Sequence, residues 1–325
     1  MASAALPTGR LAGVELGGTK VILTLTDGGK VVEQASLPTK SPGATLAAAV
    51  DRLARWDAAA PLAAIGIASF GPIRVDPAAP DFGTMLTTTK PGWTGARVVA
   101  AFSDRFACPV ALDTDVNGAG MAEAALGAGQ GCRTNVYLTI GTGLGGGVIV
   151  DGRPVAGRLH PEIGHLRLRR AAGDGFAGAC IFHGDCIEGL VSGAALRARF
   201  GRDPASVAPG DPAWEMVVSD LAELFVALML TLSPDRIIVG GSVALGQGAV
   251  VARATECASE RLINYVADYD VAALSYIVVP PALKHDAGPL GAILIAAGAV
   301  HAGTTGVRTD LRSNLLRDSA GAYTK

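Results

Sequence analysis

The sequence has few charged residues, few aromatic residues and little net charge. Of its 325 residues, 17% are charged and 5% are aromatic, and the formal net charge is −2 at pH 7. A chain this close to neutrality lacks the basic surface with which proteins bind nucleic acids or anionic membranes. Because half of the residues are hydrophobic, a disordered or fibrous protein is also excluded. We therefore expect a compact protein whose partners are small molecules, with no nucleic acid or membrane among them.

Cysteines and long apolar runs are also scarce. The five cysteines are an odd number, and the residues before Leu11 have neither the basic start nor the apolar run of a secretory signal. A disulfide framework is therefore not expected. The longest apolar stretches, such as residues 290–300, are shorter than the roughly 20 residues that cross a bilayer. Together these absences predict a soluble, cytoplasmic protein.

Two glycine-rich hairpins organise the chain. Residues 11–37 are predicted strands interrupted by Gly17-Gly18 and by an Asp-Gly-Gly turn at 27–29. Residues 136–152 repeat this order: a strand, a turn over residues 141–147, a second strand and an Asp-Gly turn. Such a repeat predicts a duplicated α/β domain. The length suits two domains, or one large α/β unit with a cleft between its halves.

The rest of the pattern alternates helices and strands. Apolar spacing predicts helices at 43–56, 116–126, 213–232, 250–266 and 289–300, and strands at 65–68, 110–112, 236–239 and 275–279. After Gly303 the residues become polar, which predicts a loose tail.

Three glycine turns offer backbone N–H groups to phosphates. The first, Gly17-Gly18-Thr19-Lys20, is not a Walker A loop, and taken alone it is better explained as an ordinary glycine hairpin. The second, from Gly141 through Thr142 and Gly143 to Gly147, has more glycine than a plain hairpin needs. The third, Gly240-Gly241-Ser242, follows a predicted buried strand. Their coincidence in one chain favours a nucleotide site.

Asp113-Thr114-Asp115 ends a predicted strand and precedes a predicted helix. A carboxylate at such a strand end can reach the mouth of a cleft, where it could take a proton from an acceptor hydroxyl. Asp115 is nearer the loop and is the better candidate for a general base. The alternative is that Asp115 only caps the following helix.

Cysteines and histidines cluster in one glycine-rich segment. Cys180, His183 and Cys186 are spaced by three residues, a pattern typical of zinc ligands in cytosolic proteins. His165 or His160 would supply the fourth ligand, and four protein ligands make a zinc ion structural. The alternative is a chance grouping of free thiols and a surface histidine.

Together these residues resemble the ROK family (repressors, open reading frames and kinases), and within it the bacterial fructokinases that contain zinc. The resemblance runs from about Gly13 to about Gly298. It is carried by residues Glu15 to Lys20, Ser69 to Pro72, Lys90 to Trp93, Asp113 to Asn117, Thr139 to Gly147, His160 to His165 and Cys180 to Gly189.

The resemblance implies an α/β fold of two actin-like, ribonuclease-H-like domains that close around a hexose and ATP with Mg²⁺. The expected domains are 1–116, completed by the helix 289–301, and 117–288, with a zinc loop at 160–189 and a loose tail at 303–325. The implied catalytic base is Asp115, and a homodimer is implied. The implied sugar contacts are Glu162, His165, Glu188 and Thr114, and the zinc ligands are His165, Cys180, His183 and Cys186. The implied nucleotide contacts are Gly17, Gly18, Thr19, Lys20, Thr142, Gly143, Ala194, Gly240 and Gly241.

Two departures from the wider family indicate the substrate. Glu15 stands where the family often has Asp, and Thr114 where it often has Asn. Thr114 offers one short hydroxyl in place of an amide, which predicts fructose or mannose as a better substrate than glucose. Glucokinase, mannokinase and N-acetylhexosamine kinase are the alternatives within the family.

Two further alternatives lie outside catalysis. A transcription repressor of the same family would need a helix-turn-helix module, and only about ten residues precede the first predicted strand. A non-catalytic sensor would be expected to lose the base or the glycine turns, and this chain has both. We therefore expect an ATP-dependent hexose kinase.

Overall fold

The computed structural model describes the backbone of residues 6–305 and the side chains of residues 6–300. Its ten strands form two five-stranded sheets, in the spatial orders β3-β2-β1-β4-β5 and β8-β7-β6-β9-β10. The strands are β1 Leu11–Leu16, β2 Lys20–Asp27, β3 Lys30–Pro38, β4 Ala64–Ser69, β5 Val110–Thr114, β6 Thr134–Ile140, β7 Leu144–Val150, β8 Arg153–Pro154, β9 Arg236–Gly240 and β10 Val278–Val279. Each sheet begins with an antiparallel meander and continues with parallel strands, so the predicted duplication is confirmed.

Helices cover the sheets. They are α1 Pro42–Ala59, α2 Val98–Ser103, α3 Asp115–Leu126, α4 Ile187–Val191, α5 Gly193–Phe200, α6 Glu215–Leu232, α7 Ser242–Gly246, α8 Gly248–Leu262, α9 Val271–Ile277 and α10 Ala287–Thr305. The first core lies between sheet one and helices such as α1, and the second lies between sheet two and helices such as α6 and α8. Among the described residues, no helix combines the length and apolarity that a membrane crossing requires.

Helix α3 joins the two halves. It packs against β6 and β7 of the second sheet and also against α10, which in turn covers β1, β4 and β5 of the first sheet. Its residue Glu123 is fully buried. The carboxylate of Glu123 accepts hydrogen bonds from the N–H groups of Ala128, Ala282 and Leu283, the last two in the segment that leads to α10. The domain boundaries expected from the sequence stay a prediction.

Two local predictions were wrong. Residues 145–147 were expected in a turn, but they belong to strand β7. A Cβ on Gly147 would lie 2.7 Å from the carbonyl oxygen of Val116. The absence of a side chain at this position therefore lets helix α3 pack closely against strand β7. Residues 275–279 were expected as a strand, but residues up to Ile277 are helical. The cause is Asp270, whose carboxylate accepts a hydrogen bond from the N–H of Ala273 and caps α9.

Of the expected loose tail at 303–325, residues 306–325 lie outside the described residues. Its first three residues end helix α10.

Candidate active site

A cavity of about 510 Å³ lies between the two sheets, with walls from both. The first half contributes the turn after β1 and the segments around residues 70–72 and 88–91. The second half contributes the turn between β6 and β7, residues 160–165, Phe182 and Glu188. The junction of β5 and α3 supplies Thr114, Asp115 and Val116. The cavity therefore opens where the two predicted glycine hairpins face each other.

Asp115 is the first residue of α3 and lines this cavity. Its Oδ1 accepts a hydrogen bond from the N–H of Val116 at 2.9 Å. Burial raises the pKa of Asp115 from 3.8 to about 6. The interpretation of Asp115 as the helix cap is wrong, because the cap is Thr114, whose buried hydroxyl accepts from the N–H of Asn117 at 3.1 Å.

The carboxylate of Asp113, the other candidate, accepts hydrogen bonds from neighbouring residues. Its Oδ1 accepts from the N–H of Thr114 at 2.7 Å and from the side-chain amide of Asn117 at 2.6 Å. It is not part of the cavity wall. Of the two carboxylates, Asp115 is the one that faces the cavity.

Two glutamates face the same cavity from the second half. Glu188 accepts a hydrogen bond from the N–H of Leu144 at 3.0 Å. A Cβ on Gly143 would lie 2.8 Å from the same carboxylate, so a glycine there lets Glu188 approach the turn. Burial, followed by the charges of Glu188 and Asp115, raises the pKa of Glu162 to about 7. Glu162 and Asp115 are therefore both groups that can exchange protons near neutral pH.

His160 connects the two sides of the cavity. The N–H of Ile73, from the first half, donates to Nε2 of His160 at 3.3 Å. That bond places the ring proton of a neutral imidazole on Nδ1, which lies 3.3 Å from Oε1 of Glu162. Burial lowers the pKa of His160, which favours this neutral form.

Glu15 is a further perturbed carboxyl close to the site. Burial and the charge of Asp115 raise its pKa to about 7, against a smaller opposite effect of Lys20. Its Oε2 is buried without a hydrogen-bond partner among the described residues. The sequence indicated Glu15 only as a departure from the family pattern, so its burial is new information.

The predicted nucleotide contacts divide into two groups. Gly18, Thr19, Thr142 and Gly143 line the cavity. Gly17 and Lys20, the two ends of the first turn, are not on its wall and are joined by a hydrogen bond from the Gly17 N–H to the Lys20 carbonyl. Gly240, Gly241 and Ala194 are not on this wall. They are nevertheless close to the second turn, because the N–H of Gly193 donates to the Gly141 carbonyl at 2.7 Å and a Cβ on Gly241 would lie 2.4 Å from the Ile140 carbonyl oxygen.

The four expected zinc ligands come together at the edge of the cavity. The nearest ligand atoms of His165, Cys180, His183 and Cys186 all lie within 4.8 Å of one another. Nδ1 of His165 is 3.6 Å from Sγ of Cys186 and 3.9 Å from Sγ of Cys180. Tetrahedral zinc with ordinary bond lengths would separate sulfur and nitrogen ligands by about 3.6 Å, so the donor set fits the ion. His160, the alternative fourth ligand, is outside this cluster.

Several residues of the cavity wall had no role predicted from the sequence. They are Phe70, Gly71, Pro72, Thr88, Thr89, Lys90, Pro91, Thr139, Leu144, His160, Pro161 and Phe182. The signal was present, since residues 69–72 and 90–93 are among the motifs that carried the resemblance. Those motifs had no assigned chemistry, because nothing in a linear sequence places them opposite Asp115.

The fold is similar to that of solved ROK-family sugar kinases. A ROK hexokinase from Thermus thermophilus superposes with a TM-score of 0.70 at 26% identity, over 90% of this chain and 99% of that one. A fructokinase of Zymomonas mobilis subsp. mobilis is 40% identical over 292 residues, which cover 88% of this chain and 96% of that protein. A fructokinase of Pediococcus pentosaceus is 36% identical, over 89% and 98% respectively.

The ROK family pattern matches residues 11–299, nearly the whole described chain. The chain belongs to the ROK family.

Proposed function

We propose that the protein transfers the γ-phosphoryl group of ATP to a hexose, with D-fructose as the preferred acceptor and fructose 6-phosphate as the product. The observation that carries this proposal is the carboxyl of Asp115, with a pKa of about 6, in a cavity between two glycine turns. Relatives named fructokinases, up to 40% identical over most of the chain, support the choice of sugar.

The reaction needs a base at the acceptor hydroxyl. The carboxylate of Asp115 takes the proton of that hydroxyl while the sugar oxygen forms a bond to the γ-phosphorus. The bond from the γ-phosphorus to its bridging oxygen breaks, and the electron pair leaves on ADP. A pKa of about 6 keeps most of the Asp115 carboxyl ionised at neutral pH, yet basic enough to accept a proton.

The sugar lies, in this proposal, against Glu162, Glu188, His165 and Thr114. Glu188 is held by the N–H of Leu144, and Glu162 has the imidazole of His160 beside it. Carboxylates with a fixed orientation accept hydrogen bonds from sugar hydroxyls. The Thr114 hydroxyl already accepts from Asn117, and its own proton is available to an acceptor in the cavity.

The nucleotide, in this proposal, contacts the turn of Gly17, Gly18, Thr19 and Lys20, the turn of Thr142 and Gly143, the Gly240-Gly241 turn and Ala194. Backbone N–H groups of such turns bind phosphate oxygens. Mg²⁺, when bound with ATP, neutralises charge on the phosphates.

A structural zinc ion is proposed at His165, Cys180, His183 and Cys186. Two of these ligands connect the zinc site to the sugar site: His165 lines the cavity, and Cys186 directly precedes helix α4, which contains Glu188. A closed set of four ligands would hold His165 and Glu188 in one orientation.

The resemblance also leads us to propose a cytoplasmic homodimer. Light scattering on the purified protein should give about twice the chain mass of 32.8 kDa. A mass equal to one chain at micromolar concentration would contradict the dimer.

An ATP-coupled assay across fructose, mannose, glucose and N-acetylglucosamine tests the function directly. Fructose should have the highest kcat/KM. Preference for another hexose would support the kinase activity but refute fructose as the preferred substrate. No turnover of any hexose would refute the whole proposal.

A further inference from the structure

None of the roles proposed above involves the motif Lys90-Pro91-Gly92-Trp93, but its packing has a clear structural basis. Trp93 is fully buried, and its indole N–H donates to the carbonyl of Lys40 at 3.0 Å. Its ring packs edge-on against Phe70 at 5.1 Å between centroids. The backbone N–H of Trp93 donates to the Lys90 carbonyl at 3.2 Å. The turn that presents Lys90 is therefore anchored in the first hydrophobic core.

The ammonium of Lys90 reaches the first glycine turn. Its Nζ donates to the carbonyl of Gly18 at 2.5 Å, and Lys90, Gly18 and Thr19 all line the cavity. An ammonium that donates one N–H to this carbonyl has two further N–H groups to offer a ligand. The charge thus lies beside the first glycine turn, on the wall of the cavity.

The cavity wall has more acidic than basic side chains. Asp115, Glu162 and Glu188 line it, and among its described residues Lys90 is the one lysine or arginine. His160 is favoured in its neutral form, because burial lowers its pKa. A phosphoryl group that approaches Asp115 is repelled by these carboxylates, and a nearby cation offsets the repulsion.

We propose that Lys90 is a catalytic residue that contacts the phosphoryl group during transfer and the phosphate of the sugar product afterwards. The inference rests on the proposed function, since it assumes phosphoryl transfer in this cavity. The ammonium exchanges its bond with the Gly18 carbonyl for bonds to phosphoryl oxygens, and no covalent bond to Lys90 forms. The buried Trp93 keeps the backbone of Lys90 in place while the side chain of Lys90 moves.

The test compares two substitutions that differ in charge but can both donate to the Gly18 carbonyl. Lys90→Gln removes the charge, and Lys90→Arg retains it. We expect Lys90→Gln to lower kcat by at least about 10²-fold, the lower end of the range for removal of one transition-state donor, whereas Lys90→Arg should stay within about fivefold of the parent. Calorimetry should show fructose 6-phosphate binding weakened at least about tenfold in Lys90→Gln only, with the affinity for fructose unchanged.

A matched control is Lys30→Gln, an exposed lysine that begins β3 and is not part of the cavity wall. It changes the net charge equally and should leave every parameter unchanged. Equal effects of the Gln and Arg substitutions at Lys90 would overturn the proposal in favour of a hydrogen bond that only holds the turn. Loss of fructose affinity in Lys90→Gln would overturn it in favour of a sugar contact. The parent assay reports separately on the proposed function, and if it shows preference for another hexose, the phosphate of that hexose replaces fructose 6-phosphate in the binding test of Lys90.

Discussion

Replacement of Asp115 by Asn should separate catalysis from stability. Asn has nearly the same shape as Asp, and its oxygen can still accept from the Val116 N–H. The helix cap is Thr114, which is unchanged. The variant lacks a proton acceptor at the sugar hydroxyl, so kcat should fall by at least about 10²-fold while sugar and ATP affinities change far less.

The same substitution should stabilise the fold at neutral pH. The folded-state pKa of Asp115 is about 6 against an ordinary 3.8, so the folded protein binds this proton more tightly than the unfolded chain does. Parent stability therefore falls as the pH rises from about 4 to about 6, and the full cost remains above that window. Two pKa units correspond to about 3 kcal/mol, and solvent in the open cavity reduces this to roughly 1–2 kcal/mol. The amide in Asp115→Asn does not titrate and avoids this cost.

The assay is urea unfolding of parent and Asp115→Asn at pH 4.5 and pH 7.5, beside steady-state kinetics at pH 7.5. The stability gain of the variant should be larger at the higher pH. Asp113→Asn is the control for the kinetics, because its oxygen can still accept from Thr114 and Asn117 while the cavity carboxylate is retained. A folded Asp115→Asn enzyme that turns over fructose at the parent rate would refute the assignment of the base. A gain that is independent of pH would refute the electrostatic argument.

Three other measurements test the rest of the molecule. Freshly purified protein should contain about one zinc per chain by elemental analysis, and Cys180→Ser should lose the metal together with thermal stability. Fructose should exceed glucose in kcat/KM at least about tenfold, or roughly 1.4 kcal/mol in transition-state binding, because of the short Thr114 hydroxyl. Glu123→Gln should lower the free energy of unfolding by roughly 2–4 kcal/mol in urea, because its amide places N–H donors against backbone N–H donors.

Each of these has an outcome that contradicts it. A native protein without metal would refute the proposed structural zinc site. Equal rates with both sugars would refute the proposal that Thr114 determines specificity. For Glu123, the matched control is Glu33→Gln, a partly exposed glutamate paired with Arg52 on the surface. That change should cost less than about 1 kcal/mol, and an equal loss at both positions would refute the argument from buried hydrogen bonds.

Much of the fold was predictable because its signals are local. The two glycine hairpins, the strand at 236–239 and the helices at 43–56 and 116–126 follow from residue periodicity and turn chemistry over a few positions. The prediction failed where a local signal was overruled by a distant neighbour. Gly147 was expected in a turn, but helix α3, which precedes it in the chain, needs that glycine in strand β7.

The candidate site also has some features that follow from local sequence and others that depend on the tertiary structure. Residue type and short spacing decide what a segment can bind, so the chemistry available to this protein was readable from the residues: paired glycine turns, the carboxylate after β5, and three closely spaced cysteine and histidine ligands. The residues alone left His160 open beside His165 and Asp113 open beside Asp115, and folding places His165 beside the two cysteines, Asp115 on the cavity wall and Lys90 against Gly18. The tertiary structure also raised the pKa values of Glu15, Asp115 and Glu162, because desolvation and charge depend on neighbours that folding brings together from distant parts of the chain.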